Sequence, residues 1–304
     1  MNRREFVAAA AATPFALRTV LAAAARVPSA LVTCDSQSRL AVVDLGSFRV
    51  VRSIETLPDP RAVELVGKRA VVCHTAIGAL SIVDGSRVVH VLRGFEQPRY
   101  VAAHPDGVHA FVTDSGRSGV VAIDVLRGTV IGRVRLPGWA RHLTIDRTGS
   151  RLWVGLGSAS PDVAVVDTRR LHHASTLQPG YASHDVGVAP DGRLWVTSGN
   201  ERKLTAAGSV RPADAAPQHV TFGAHAAYVT SGDSGTLHVQ SLADARVLRT
   251  TRIPIGSYNV QHGWGRVLTP SLSHGTLAVL NEAGALLARV DVADSCHDAC
   301  FSPM

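Results

Sequence analysis

Residues 98–107 read PRYVAAHPDG and run into VHAFVTDSG, and this strand–turn–strand pattern recurs along the whole chain. Copies begin at Ala140 (ARHLTIDRTG, then SRLWVGLG), at Ser183 (SHDVGVAPDG, then RLWVTSG) and at Pro217 (PQHVTFGAH, then AAYVTSGD). Each copy opens on a polar pair, continues as an apolar strand, turns through Pro, Asp or Gly, and ends its second strand in a small polar run. A lone hairpin is marginal in water, so hairpins repeated in tandem must cover one another. A last, truncated copy, SCHDACFSPM from Ser295, stops where its turn should come. The segment ALVTCDS from Ala30 has the form of the missing half, which predicts a chain that closes on itself.

Each unit of about 40 residues holds two further strands. The third ends in Asp in AVVDLGS, SIVDGSR, VAIDVLRG and VAVVDTRR, and the fourth alternates, as in VVRSIE, VVHVLR, VIGRVR and VLRTTR. The alternating fourth strand is the more polar and so belongs outermost. Openings fall at Arg61, Arg99, Arg141, His184, Gln218, Tyr258 and His297, seven in all. The expected fold is all-β: a seven-bladed β-propeller of four-stranded antiparallel blades, closed by a C-terminal inner strand that completes the N-terminal blade. The weakest copy is the unit from Ser183, where KLTAAGSVRPADAAP stands in place of clear outer strands. A β-sandwich could be built from similar strands, but no Pro/Gly/Ser linker divides the chain, and a single propeller domain over residues 26–304 is expected.

The first residues, MNRREFV, set Arg3 and Arg4 before Phe6 and an Ala-rich run, the form of a twin-arginine export signal over residues 1–25 with a small-residue cleavage site. Arg18 interrupts the run and argues against a membrane span. A periplasmic, cell-envelope or secreted monomer with no transmembrane segment in the mature chain is expected. The net charge of +7 shrinks when the leader is removed, so basicity alone is no nucleic-acid signature. Cys34, Cys73, Cys296 and Cys300 would then meet an oxidising compartment. Cys296 and Cys300, four apart in one expected strand, are too distant to bridge. Laying that strand beside ALVTCDS predicts a Cys34–Cys296 disulfide, with Cys34–Cys300 as the alternative and Cys73 unpaired.

AFVTDSG, LWVTSGN and AYVTSGD, the HPDG and APDG turns and the Asp-ended third strands resemble the YVTN-repeat seven-bladed β-propeller family of exported bacterial proteins. Asp or Ser replaces the usual Asn after Val-Thr, and the fourth unit reads WVGLG. The resemblance implies a fold and names no chemistry.

Chemistry in such a ring gathers at the channel mouth. The opening residues form one ring there; the next positions, Ala62, Tyr100, His142, Asp185, His219, Asn259 and Asp298, form a second. Polar side chains are ordinary where inner strands reach water, but their distribution is uneven. Arg61, Arg99 and Arg141 on consecutive units make a cationic arc suited to a carboxylate or phosphate, so a small anionic ligand is one expected partner and a protein the other. Tyr100, Trp139 and Tyr181 border that arc; with Phe95 the last two share one repeat position and could give a stacking rim, a feature single-stranded nucleic acid would also use. The opposite arc carries His142, His184, Asp185, His219, His297 and Asp298, residue types that hold a transition metal, the one cofactor the sequence suggests. Catalysis has less support. G-x-S-x-G is absent, and a metal-dependent or lactonase-like hydrolase using the His/Asp arc is the enzyme alternative to a binding protein.

Overall fold

The alternating apolar positions of each unit pair as antiparallel strands, and the units arrange as seven four-stranded blades in a ring. The computed structural model describes residues 28–157 and 160–303, so the export signal expected over residues 1–25 lies outside the described residues. Blade 1 has the order β28-β1-β2-β3, with β1 Ser29–Cys34, β2 Arg39–Asp44, β3 Arg49–Glu55 and β28 Ala299–Ser302. Inner strands of the other blades are β4 (Pro60–Val66), β8 (Pro98–Ala103), β12 (Leu143–Ile145), β16 (Asp185–Val188), β20 (His219–Phe222) and β24 (Gln261–Gly263).

Closure is made by β28 on β1, with Val32 opposite Ala299 and Leu31 opposite Cys300. Thr33 N–H donates to Asp298 O at 2.9 Å, and Asp298 N–H donates back to Thr33 Oγ1 at 2.9 Å. β28 starts at Ala299, which corrects the expectation that Cys296 and Cys300 share one strand: the Cys296 N–H goes to Ser271 O in blade 7 and has left the ladder.

The recurring Val-Thr pair has a physical cause. Thr33, Thr113, Thr197 and Thr230 are fully buried, and their hydroxyls bond to the backbone of inner strands. Thr197 Oγ1 accepts from Asp185 N–H at 3.0 Å and donates to Gln218 O of the next blade at 2.7 Å; Thr113 Oγ1 accepts from Tyr100 N–H at 3.1 Å. One hydroxyl thus joins two strands within a blade and, at Thr197, two blades. Buried hydroxyls persist only when paired in this way. The Asp that ends third strands closes the turn into the fourth strand. Asp44 Oδ1 accepts from Gly46 and Ser47 N–H, and Asp167 Oδ1 accepts from Arg169 and Arg170 N–H.

The outer strands are largely exposed, and in blades 1–4, 6 and 7 the pairing of third to fourth strand shifts register at a bulge. Charges and a bulge on an edge strand discourage edge-to-edge aggregation. The weak copy is a complete but shortened blade. Its outer strands β18 (Lys203–Ala206) and β19 (Ser209–Pro212) join through Ala207 and Gly208, both at positive φ (51° and 81°), the tight-turn geometry that lets four-residue strands pair.

Candidate functional site in the central channel

Side chains alternate along a strand, so consecutive positions of the inner strands face differently. All seven residues of the second ring, Ala62, Tyr100, His142, Asp185, His219, Asn259 and Asp298, line a cavity of about 290 Å³. None of the seven opening residues lines it. Two positions further on, the same alternation adds Glu64, Thr144, Thr221 and Gln261 to the cavity wall. Sequence reasoning stopped at the second ring and missed these four; stepping two residues along each inner strand would have found them.

Tyr100 is the largest side chain of the second ring. It reaches from blade 3 across the channel, its ring centroid 4.2 Å from His142, 5.9 Å from His219 and 6.4 Å from His297, which sit on three other blades. Burial pushes its phenol up to about 12, so it stays neutral. None of the three arginines lines the cavity that Tyr100 helps to wall.

On the mouth side, Arg99 and Arg141 both lean on Trp139, with guanidinium carbons 4.6 Å and 5.8 Å from the ring centroid. Gly157 makes room for that ring: at φ +76° it has no Cβ, and one built there would overlap Trp139 Cε3. Nε of Arg99 and Nε of Arg141 are buried and meet no acceptor among the described residues. Among the described residues Arg61, Arg99 and Arg141 form no ion pair. Burial pulls Arg99 below its usual value, and Arg61 and Arg141 add repulsion, so the three cations feel one another. A counter-charge to this arc is Asp35, which lies after β1 and accepts from His297 N–H at 3.1 Å; burial raises it to about 6 against the pull of Arg61.

On the cavity side, Asp185 sits between two imidazoles. Its Oδ1 accepts from Val186 N–H at 2.6 Å and its Oδ2 from Val220 N–H at 2.9 Å, a bond across to the next blade. His142 Nδ1 touches Oδ1, and His219 Nδ1 lies 3.4 Å from Oδ2. Burial pushes the Asp185 carboxyl up, but His142 and His219 outweigh it and hold the group well below the usual carboxylate range. Burial also takes His219 down to about 4, so its ring is neutral at physiological pH.

Asp298 occupies the same repeat position and makes the same two bonds, from Ala299 N–H at 2.9 Å and from Val63 N–H of the next blade at 3.0 Å. Among the described residues no imidazole pairs with it, and burial, with Glu64 adding to it, raises it well above the usual range. The backbone contacts of these two carboxylates are thus blade fabric, and the imidazoles distinguish Asp185. Burial likewise raises Glu64 to about 7, with Gln261 Nε2 donating to it at 3.3 Å.

The structure divides the residues expected on the His/Asp arc. His142, Asp185 and His219 bring their ligating atoms within 4.8 Å of one another. His184 instead accepts from Arg141 Nη2 at 3.0 Å, and His297 Nδ1 faces Arg61 O at 2.8 Å. Tyr181 is buried, its hydroxyl donating to Val196 O at 2.6 Å, and Phe95 is 6% exposed; both rings are blade interior, and Trp139 alone of the three borders the arginines. The four cysteines are buried free thiols, so no disulfide is present among the described residues. Cys34 and Cys296 pack in one cluster and act on each other, Cys34 drawn down and Cys296 pushed up, while Cys300 packs in a separate cluster with Leu31.

No protein-family model and no curated protein matches the chain. Solved structures do. Hydrazine synthase of Kuenenia stuttgartiensis matches with a TM-score of 0.73 at 14% identity, over 89% of this chain and 100% of that one. A functionally unknown protein of Desulfotomaculum acetoxidans gives 0.72 at 12% identity, over 90% and 98%. The dihydro-heme d1 dehydrogenase NirN in complex with DHE gives 0.65 at 10% identity, over 90% and 75%. Likeness at such identity is likeness of fold, and the chain is a seven-bladed β-propeller.

Proposed function

We propose that this chain is an exported binding protein of the YVTN-repeat type that holds a small anionic ligand at the arginine-bearing mouth of its channel. The observation that carries the reading is the pair Arg99 and Arg141, both set against one Trp139 ring with buried Nε–H groups that meet no acceptor among the described residues. Buried donors are ordinarily paired, and a planar guanidinium matches the two oxygens of a carboxylate or phosphate. Arg61 on the neighbouring blade extends the arc, and its counter-charge Asp35 stands off from direct ion pairing. Trp139 supplies an apolar face beside the charge, so a ligand with an acidic group and a planar or apolar body fits best. Export is supported by the leader MNRREF and its Ala-rich run. NirN, a fold neighbour, is named in complex with DHE, so the architecture accommodates a ligand.

The test is calorimetric titration and thermal shift of the full chain with inorganic phosphate, citrate and aromatic carboxylates. At least one of these anions is expected to raise the melting temperature, since binding to the native state alone stabilises it. The variant R61A/R99A/R141A is expected to lose that shift. Equal binding by the triple variant, or no shift with any of these anions, would overturn the reading.

A further inference from the structure

We infer that His142, Asp185 and His219 form a binding site for one divalent transition-metal ion in the wall of the central cavity. Three ligand atoms of the right kinds, two imidazole nitrogens and a carboxylate oxygen, lie within 4.8 Å of one another on three consecutive blades. They touch one another without forming well-aligned hydrogen bonds. His142 Nδ1 is buried and, although it touches Asp185 Oδ1, finds no hydrogen-bond partner among the described residues. His219 Nδ1, at 3.4 Å from Oδ2, is longer than the roughly 2.7–2.9 Å of a charge-assisted bond. Two imidazole nitrogens and a carboxylate oxygen make a donor set that suits a divalent transition-metal cation.

The surroundings hold these ligands in place. Two backbone N–H groups orient the Asp185 carboxylate, Tyr100 lies against the His142 ring at 4.2 Å, and the His184 ring meets His219 edge-on at 5.2 Å. Such outer contacts are what orient metal ligands in general. The equivalent carboxylate, Asp298, has the same backbone bonds and no imidazole, so the fold itself does not demand His142 or His219. With three protein ligands, the remaining coordination positions face the 290 Å³ cavity. A second group, His104, Asp106 and His109, differs in kind: His109 Nδ1 bonds Asp106 Oδ2 at 2.6 Å, and Asp106 also accepts from Val108 and His109 N–H, so its atoms are used in closing a turn.

The site is independent of the anion reading, because none of Arg61, Arg99 and Arg141 lines the cavity. The experiment is Co²⁺ and Zn²⁺ titration of the chelator-treated full chain, read by equilibrium dialysis, visible absorption and thermal shift. One ion per chain is expected, with His142→Asn and His219→Asn each lowering affinity at least about tenfold. His109→Ala is expected to bind metal as the parent does. Undiminished binding in both channel variants, loss in His109→Ala, or no binding by the parent would overturn the inference. X-ray absorption of the Co²⁺-loaded parent covers a variant that does not fold: two imidazoles and a carboxylate oxygen are expected, and a shell without imidazole contradicts it.

Discussion

Replacing Glu64 by Gln should stabilise the protein in alkaline solution and leave it nearly unchanged in acid. Glu64 stands in the channel wall with Asp298 near it, and burial raises its carboxyl from 4.5 to about 7. A carboxyl whose folded value lies above its unfolded value keeps its proton longer in the native state. Native stability therefore falls as pH rises from about 4.5 through about 7, and the full penalty is present above that window. A rise of that size corresponds to about 3 kcal/mol, and channel water screens part of it, so about 1–3 kcal/mol is expected. Gln is uncharged and keeps an oxygen for the Gln261 amide, so Glu64→Gln should exceed the parent by that amount at pH 8.5 and by little at pH 4.5. Urea unfolding of both proteins at the two pH values measures it. A difference that is the same at both pH values, or a variant less stable than the parent at pH 8.5, would refute the burial argument.

Thr197→Val removes a hydroxyl that bonds Asp185 N–H and Gln218 O inside the protein, and about 1–3 kcal/mol of stability should be lost in urea unfolding. Gly157→Ala adds a Cβ against Trp139 at a positive φ, so the near-ultraviolet circular dichroism of Trp139 and the anion-induced thermal shift should both change. Ending the chain after Asp294 strips β28 from β1 and exposes the inner edge of blade 1; the truncated chain should lose its cooperative thermal transition. Oxidised glutathione should join Cys34 to Cys296, which pack in one cluster, and peptide mapping that found Cys300 or Cys73 joined instead would contradict this pairing.

Much of the fold could be read from the sequence because the hairpin repeats: alternation placed the strands, Asp and Gly placed the turns, and the half-hairpin from Ser295 foretold the β28–β1 closure. The two rings of the channel were also legible, since each is one repeat position. What could not be read was the reach of long side chains. Tyr100 reaches across the channel towards His219 and His297, while its sequence neighbour Arg99 turns to Trp139. His184 looks like its neighbour ligands until Arg141 is seen to use its free nitrogen. Tyr181 shares a repeat position with Trp139, yet its hydroxyl finds Val196 O and draws the ring inside. Cys296 departs from the strand register because Ser271 offers its N–H a different acceptor. Each of these depends on tertiary partners that repeat alignment does not contain.

The central claim, an anion held between Arg99 and Arg141, is tested most directly by anomalous diffraction from crystals of the protein soaked in selenate. A selenium peak is expected at the channel mouth, within hydrogen-bond reach of both guanidinium groups and beside the Trp139 ring. A mouth without a peak, while selenate is ordered elsewhere on the same molecule, would contradict it.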